Sequence, residues 1–124
     1  MKKVIFLMPI YNDWESLLKL LDKINLEIQD IKKYSFKCLI VNDFSSVKKP
    51  NISKPKNFDS IKILNMKKNQ GHARCNATGL KYINSNEEYD FVILMDSDGE
   101  DRPEEVKELI NKIKIEQEIS VVAK

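Results

Sequence analysis

The sequence predicts an α/β fold with a mostly parallel sheet and helices on both faces. Three observations predict it. Residues 3–8, 36–41 and 91–95 are apolar runs with no polar alternation, the pattern of strands buried on both sides. Stretches with helical spacing of apolar residues follow the first and last of these runs. Polar and acidic residues gather just after the strands, whereas the stretches before them show nothing comparable. The order β-α-β-loop-β-α-β-α-β then implies right-handed crossovers between parallel strands.

Taken in order, the first strand is residues 3–8, and Pro9, which has no N–H to donate, is expected to end its ladder. Asn12 is placed to cap the next helix, with Glu15 completing a capping box. Trp14, Leu17, Leu18, Leu21, Ile24, Ile28 and Ile31 recur on one face, which carries the helix to about residue 32. The second strand, 36–41, runs into Asn42-Asp43-Phe44-Ser45-Ser46. Residues 47–60 hold two prolines and four lysines and read as a surface loop. The third strand is 61–66, and Asn69-Gln70-Gly71-His72 is a turn. A helix over 73–84 is expected to turn Ala73, Ala77, Leu80 and Ile83 inward, with Gly79 allowing close approach to the sheet. The fourth strand is 91–95. Pro103 suits a first helical turn and Glu104-Glu105 its positive end. Val106, Leu109, Ile110 and Ile113 form the apolar face of that helix, and 119–122 reads as a fifth strand.

The chain has 124 residues, which fits a single domain, 1–124. Apolar content of 42% and charged content of 32% are those of a soluble globular protein. A net charge of +2 gives no argument for nucleic acid as a partner. No run is long enough to span a bilayer. Lys2-Lys3 and the short apolar run after them mimic a signal peptide, but Pro9 and Asn12-Asp13 interrupt it, and no small-residue cleavage site follows. Cys38 and Cys75 belong to no metal-ligand or redox pattern and read as small buried residues, compatible with a reducing compartment.

The chemistry is expected at the carboxyl edge of the sheet. Pro9 and Tyr11 follow the first strand, Asp43 and Ser45 the second, Asn69 and Gly71 the third, Asp96 and Asp98 the fourth. In open α/β sheets this edge binds ligands. Asp96 and Asp98 are the sharpest feature. Two carboxylates about 4 Å apart repel by about 1 kcal/mol in water and about 4 kcal/mol at an effective dielectric near 20. A divalent cation removes that cost, and Mg²⁺ or Mn²⁺ typically takes one or two carboxylates together with phosphate oxygens. The plain alternative is a solvated acidic turn at the head of the next helix. His72, the only histidine, sits in the 69–74 turn, and Arg74, one of two arginines, is placed at a helix start to meet either a phosphate or a surface carboxylate. There is no P-loop and no G-x-G-x-x-G after the first strand. An EF-hand loop read from Asp96 would put Asp101 at the glycine position and Lys107 at the final glutamate position.

M-P-I-Y-N-D, V-N-D-F-S-S, N-Q-G-H-A-R-C-N-A-T-G-L and V-I-L-M-D-S-D-G-E-D-R-P-E-E together resemble the amino-terminal half of family 2 glycosyltransferases. The nearest flavour is the polyprenyl-phosphate sugar synthases. The resemblance implies a GT-A fold whose first half is Rossmann-like and binds a nucleotide-diphosphate sugar, with uracil as the expected base. It implies that Pro9 and Tyr11 line the base pocket and that Asp43 hydrogen-bonds the base. Asn69, Gly71 and Arg74 would lie near base, ribose or diphosphate. Asp96 would approach ribose and metal, and Asp98 would coordinate Mn²⁺ or Mg²⁺. It further implies an acceptor such as a polyprenyl phosphate or a saccharide, and a cytoplasmic site, at the inner membrane face in a longer parent.

This family keeps its general base in a later acceptor-binding half, which these residues do not match. The expectation is therefore a donor-binding half that binds nucleotide sugar weakly, with transfer belonging to a longer protein. Three other readings stand beside it. One is an interaction module without catalysis. Another is a D-x-D-G phosphatase, although Glu100 follows Gly99 and few residues remain for later motifs. The third is a phospho-receiver, which would need an acidic pair where Pro9-Ile10-Tyr11 stands.

Overall fold

The computed structural model describes residues 1–97 and 104–115. The expected fifth strand at 119–122, Asp98 and Pro103 lie outside the described residues. The elements are β1 (Lys2–Ile10), α1 (Trp14–Ile28), β2 (Tyr34–Asn42), β3 (Ser60–Asn65), α2 (His72–Asn86), β4 (Phe91–Leu94) and α3 (Glu104–Ile115). The strands form one parallel sheet in the order β3-β2-β1-β4. This is the expected Rossmann-like α/β arrangement.

β1 is central, which is why its sequence is apolar throughout. It pairs with β2 from Lys2↔Tyr34 to Ile10↔Asn42, and with β4 from Val4↔Phe91 to Leu7↔Leu94. Alternate side chains leave opposite faces of a strand, so one strand serves two cores. Val4, Phe6, Met8 and Ile10 join Leu17, Leu21, Ile24 and Ile28 of α1, with Leu109 of α3 packed against them. Ile5 and Leu7 join Leu39, Val41, Val92 and Leu94 under Cys75 and Ile83 of α2. Burying each such large aliphatic side chain contributes about 1.5–3 kcal/mol. Helices therefore cover both faces, as the sequence predicts.

Gly79 allows the close approach expected of it. A Cβ there would overlap the Leu7 side chain and lie 3.2 Å from Val41 Cγ2. The rest of the α2 face differs from expectation. Ala73 and Ala77 are exposed, and the buried line is Cys75, Gly79 and Ile83. These residues are four apart, so they share one face, and the small glycine brings that face onto the sheet.

Three further expectations are corrected. Pro9 lies inside β1 instead of ending it. The Leu7 carbonyl accepts from Met95 N–H on the β4 side, and the Ile10 carbonyl accepts from Asp43 N–H on the β2 side. Alternation turns residue 9 toward β4, beyond the last paired residue Leu94, so its missing N–H costs little. Secondly, Asp13 caps α1, accepting from Ser16 N–H at 3.2 Å and Ser16 Oγ–H at 2.7 Å. Asn12 instead adopts φ 64°, and Glu15 pairs with Lys19 at 3.1 Å without forming a capping box. The helix also stops at Ile28, although Ile31 still packs in the core.

Thirdly, the 47–60 loop is more than surface. Phe58 is 1% exposed and meets Phe6 edge-on at 6.0 Å between ring centres. Asn57 donates its backbone N–H to Asn25 Oδ1 and its side-chain amide to the Asn25 carbonyl, both at 2.8 Å. This stretch covers the sheet beside α1, where a crossover helix would otherwise lie.

The strand order sets the position of the site. The chain moves outward from β1 through β2 to β3, then α2 carries it back past β1 to β4. The direction reverses between β1 and β4. A crevice opens outside the carboxyl ends of strands at such a reversal.

Candidate functional site at the carboxyl edge

At the end of β2, Asp43 is 1% exposed. Its Oδ1 accepts from Gln70 N–H at 2.8 Å and its Oδ2 from Gly71 N–H at 2.9 Å. Its carbonyl accepts from the Asn69 amide at 3.3 Å. Burial of a carboxylate is costly unless such charge-assisted bonds offset it. Here they latch the 69–71 turn to the sheet. Gly71, at φ 90°, then starts α2 without a side-chain cap. The first turn of a helix leaves N–H groups without intrahelical partners, so the positive end of α2 is held at the carboxyl edge. Arg74 lies in this first turn and is exposed. Cys75 lies beneath it. Burial first, and then its hydrogen bond to Asp43, push its thiol up to about 12. Cys38 is raised by burial alone. Both cysteines are the inert, buried residues that the sequence suggests.

The end of β1 is tied to the end of β2. Asn12 N–H donates to Ser45 Oγ at 2.9 Å, and Asn12 Oδ1 accepts from Ser46 N–H at 2.7 Å and Val47 N–H at 3.0 Å. Ser45 Oγ–H donates to Asn42 Oδ1 at 2.6 Å. Between these bonds Tyr11 stays 45% exposed and Phe44 58% exposed. Sequence reasoning missed Asn12 as a latch. Its tolerance of the left-handed region and the facing Ser45-Ser46 pair were the available signals. Pro9 is buried in its strand.

β4 delivers the acids. Ser97 is 3% exposed, and its hydroxyl donates to the Pro9 carbonyl at 2.9 Å. That bond draws the chain leaving β4 against the end of β1 and fixes Asp96 between them. The Asp96 side chain is 41% exposed, with Oδ1 4.0 Å from His72 Nδ1 at the start of α2. Beside it lies a depression of about 440 Å³ lined by Ala73, Asn76, Ala77, Leu80, Leu94 and Asp96. The two alanines expected in the core therefore line a concavity. Asn76 Oδ1 is buried there without a hydrogen-bond partner among the described residues.

The structure thus brings Asp43, Asn69 and Gly71 into one latch, and Asp96 and Arg74 to the two sides of the α2 start. Tyr11 stands at the β1–β2 end of the same edge. A hard oxygen donor at Asp96, beside a helix amino terminus, suits a divalent cation shared with phosphate. Asp43, whose oxygens both accept backbone N–H groups, is already engaged.

A parallel sheet with this strand order and a polar carboxyl edge defines a ligand-binding α/β domain. The model of glycosyl transferase family 2 matches residues 5–124, and the chain belongs to that family. It is similar to an uncharacterized protein of Methanocaldococcus jannaschii, with 26% identity over 116 residues, 89% of this chain. The chain spans 46% of that relative's length. Family membership displaces the phosphatase and phospho-receiver readings. Among the described residues no helix is long and apolar enough to cross a membrane.

Proposed function

We propose that this chain is the donor-binding part of an inverting glycosyltransferase and holds a nucleotide-diphosphate sugar, with a UDP-sugar as first choice. The observation that carries the reading is Asp96, fixed by the Ser97–Pro9 bond at the β1–β4 reversal and facing the start of α2. Asp96 and Asp98 would hold Mn²⁺ or Mg²⁺. Bound there, the metal would neutralise charge on the diphosphate leaving group. The start of α2 and Arg74 would meet phosphate oxygens. Tyr11 would flank the base. Asp43 acts in this reading as a positioning residue: it fixes Asn69 and Gly71, and the base meets the turn, not the carboxylate.

Transfer to an acceptor hydroxyl also needs a base to take the proton, and the proposal assigns none of these residues to it. A polyprenyl phosphate or a saccharide is the acceptor class proposed for the whole protein, which we place at the inner face of the cytoplasmic membrane.

Calorimetric titration with UDP-, GDP- and dTDP-sugars, with and without Mn²⁺, tests the reading. Binding that requires Mn²⁺ and disappears in Asp98→Ala is expected. A folded chain that binds no nucleotide under either condition would sink the donor-site reading and favour an interaction module.

A further inference from the structure

Phe44 serves the fold least of all the large apolar residues near the site. It is 58% exposed and belongs to neither apolar core. It also sits at φ 59°, a left-handed conformation that side chains other than Gly, Asn and Asp seldom adopt. The anchors around it impose that conformation. Asp43 before it is buried and bonded on its backbone N–H and both carboxylate oxygens. Ser45 after it donates its N–H to Asn42 Oδ1 at 3.1 Å, and Ser46 N–H reaches Asn12 Oδ1. A glycine there would be unstrained, and a polar side chain would be better hydrated. Strain held in place by its surroundings points to a use for the ring.

Its position suggests that use. Ile10 and Asn42 are register partners, and Asn12 bonds Ser45 just beyond them. Tyr11 and Phe44 therefore leave adjacent strand ends as two exposed aromatic residues. Asp96 lies at the end of β4, on the other side of β1. Two strand spacings, about 10 Å, separate the ends of β2 and β4. A ribose bridges such a gap between a base and its diphosphate.

We propose that Phe44 is a specificity-determining residue whose ring stacks on the donor's nucleobase, beside Tyr11. This rests on the donor-site reading. Phe44 contributes to the base end of the ligand only, and the metal–diphosphate end does not depend on it.

The test titrates the 124-residue chain with UDP and with inorganic pyrophosphate, both in Mn²⁺, for wild type, Phe44→Ala and Phe44→Tyr. Loss of one base–aromatic stack lowers UDP affinity about tenfold in Phe44→Ala. Phe44→Tyr restores it, and pyrophosphate affinity stays at the wild-type value in both variants. Thermal midpoints that are unchanged or higher in Phe44→Ala support a ring kept for binding, not for the fold. Equal UDP affinity in wild type and Phe44→Ala overturns the proposal while leaving the donor site standing. So does an equal loss of UDP and pyrophosphate, which marks general disordering of the loop. Vesicles of phosphatidylglycerol provide a further arm, because Val47, Lys48 and Lys49 are exposed in the same loop. Vesicle binding that Phe44→Ala abolishes without changing UDP affinity overturns nucleobase stacking in favour of surface docking. If wild type binds neither UDP, GDP nor dTDP in Mn²⁺, the donor-site reading itself fails.

Discussion

At the scale of the residue, Asp43 shows how one carboxylate builds a site without occupying it. Its two oxygens satisfy Gln70 and Gly71 N–H groups that would otherwise be left at a buried turn. Asp43→Ala removes both charge-assisted bonds. We expect a loss of about 3 kcal/mol in urea unfolding, together with weaker binding of nucleotide. An Asp43→Ala protein as stable as wild type would show that the turn is held by something else. Ser97 acts similarly for Asp96, through a single hydroxyl to the Pro9 carbonyl. Neither role shows in sequence: an Asp after a strand looks like a ligand group, and a Ser between two acids looks like a spacer.

At the scale of the element, the strands were legible because burial on both faces leaves an uninterrupted apolar run. β1, β2 and β4 were found from that pattern within one or two residues at most ends. What failed were features decided by tertiary contacts. Asn12 looks like a helix cap until the 45–47 loop takes its carboxamide. Pro9 looks like a strand end until its orientation toward the finished side of β4 is known. The inward face of α2 was misjudged because Ala73 and Ala77 have the right spacing for burial, yet Gly79 is the contact point. Gly79→Ala therefore tests the helix–sheet fit. The added methyl meets Leu7 and Val41, and overpacking of this kind costs about 1–3 kcal/mol. A midpoint unchanged in urea would contradict that close approach.

The far end of α2 carries the pH dependence of the same interface. Glu87 accepts from Lys62 Nζ at 2.9 Å and lies 3.6 Å from Lys37 Nζ. The Lys62 hydrogen bond, followed by the charges of Lys37 and Lys62, outweighs burial and holds the Glu87 carboxyl below its ordinary 4.5. A depressed carboxyl pKa adds stability that is complete above about 4.5 and fades as pH falls through the depressed value. Lys62 is half exposed, so water screens the pair and its contribution is about 1 kcal/mol. Glu87→Gln is expected to be less stable than wild type at pH 7, with the difference vanishing toward pH 3. A constant difference across that range would assign the effect to packing.

At the scale of the whole molecule, the two edges of the sheet divide the labour. At the amino edge, Lys3 N–H meets Asp90 Oδ2 at 2.7 Å, and Glu87 bonds Lys62 across from β3. Ion pairs and backbone bonds there close the fold. The carboxyl edge gathers Tyr11, Phe44, the Asp43 latch, the start of α2 and Asp96 around the strand-order reversal. The choice of edge was legible from polar residues following four strands. The partition within that edge was not, because register and latches decide which polar groups face a ligand and which face the protein.

Paramagnetic broadening by Mn²⁺ with UDP, read residue by residue from amide spectra, tests the location of the site most directly. Signals of Gln70, Gly71, His72 and Ser97 should broaden when both metal and nucleotide are present, while those of Lys62 and Glu87 at the opposite edge stay sharp. Broadening centred on Lys62 and Glu87, or the same broadening at the carboxyl edge with Mn²⁺ alone and with no added effect of UDP, would contradict a metal–diphosphate site there.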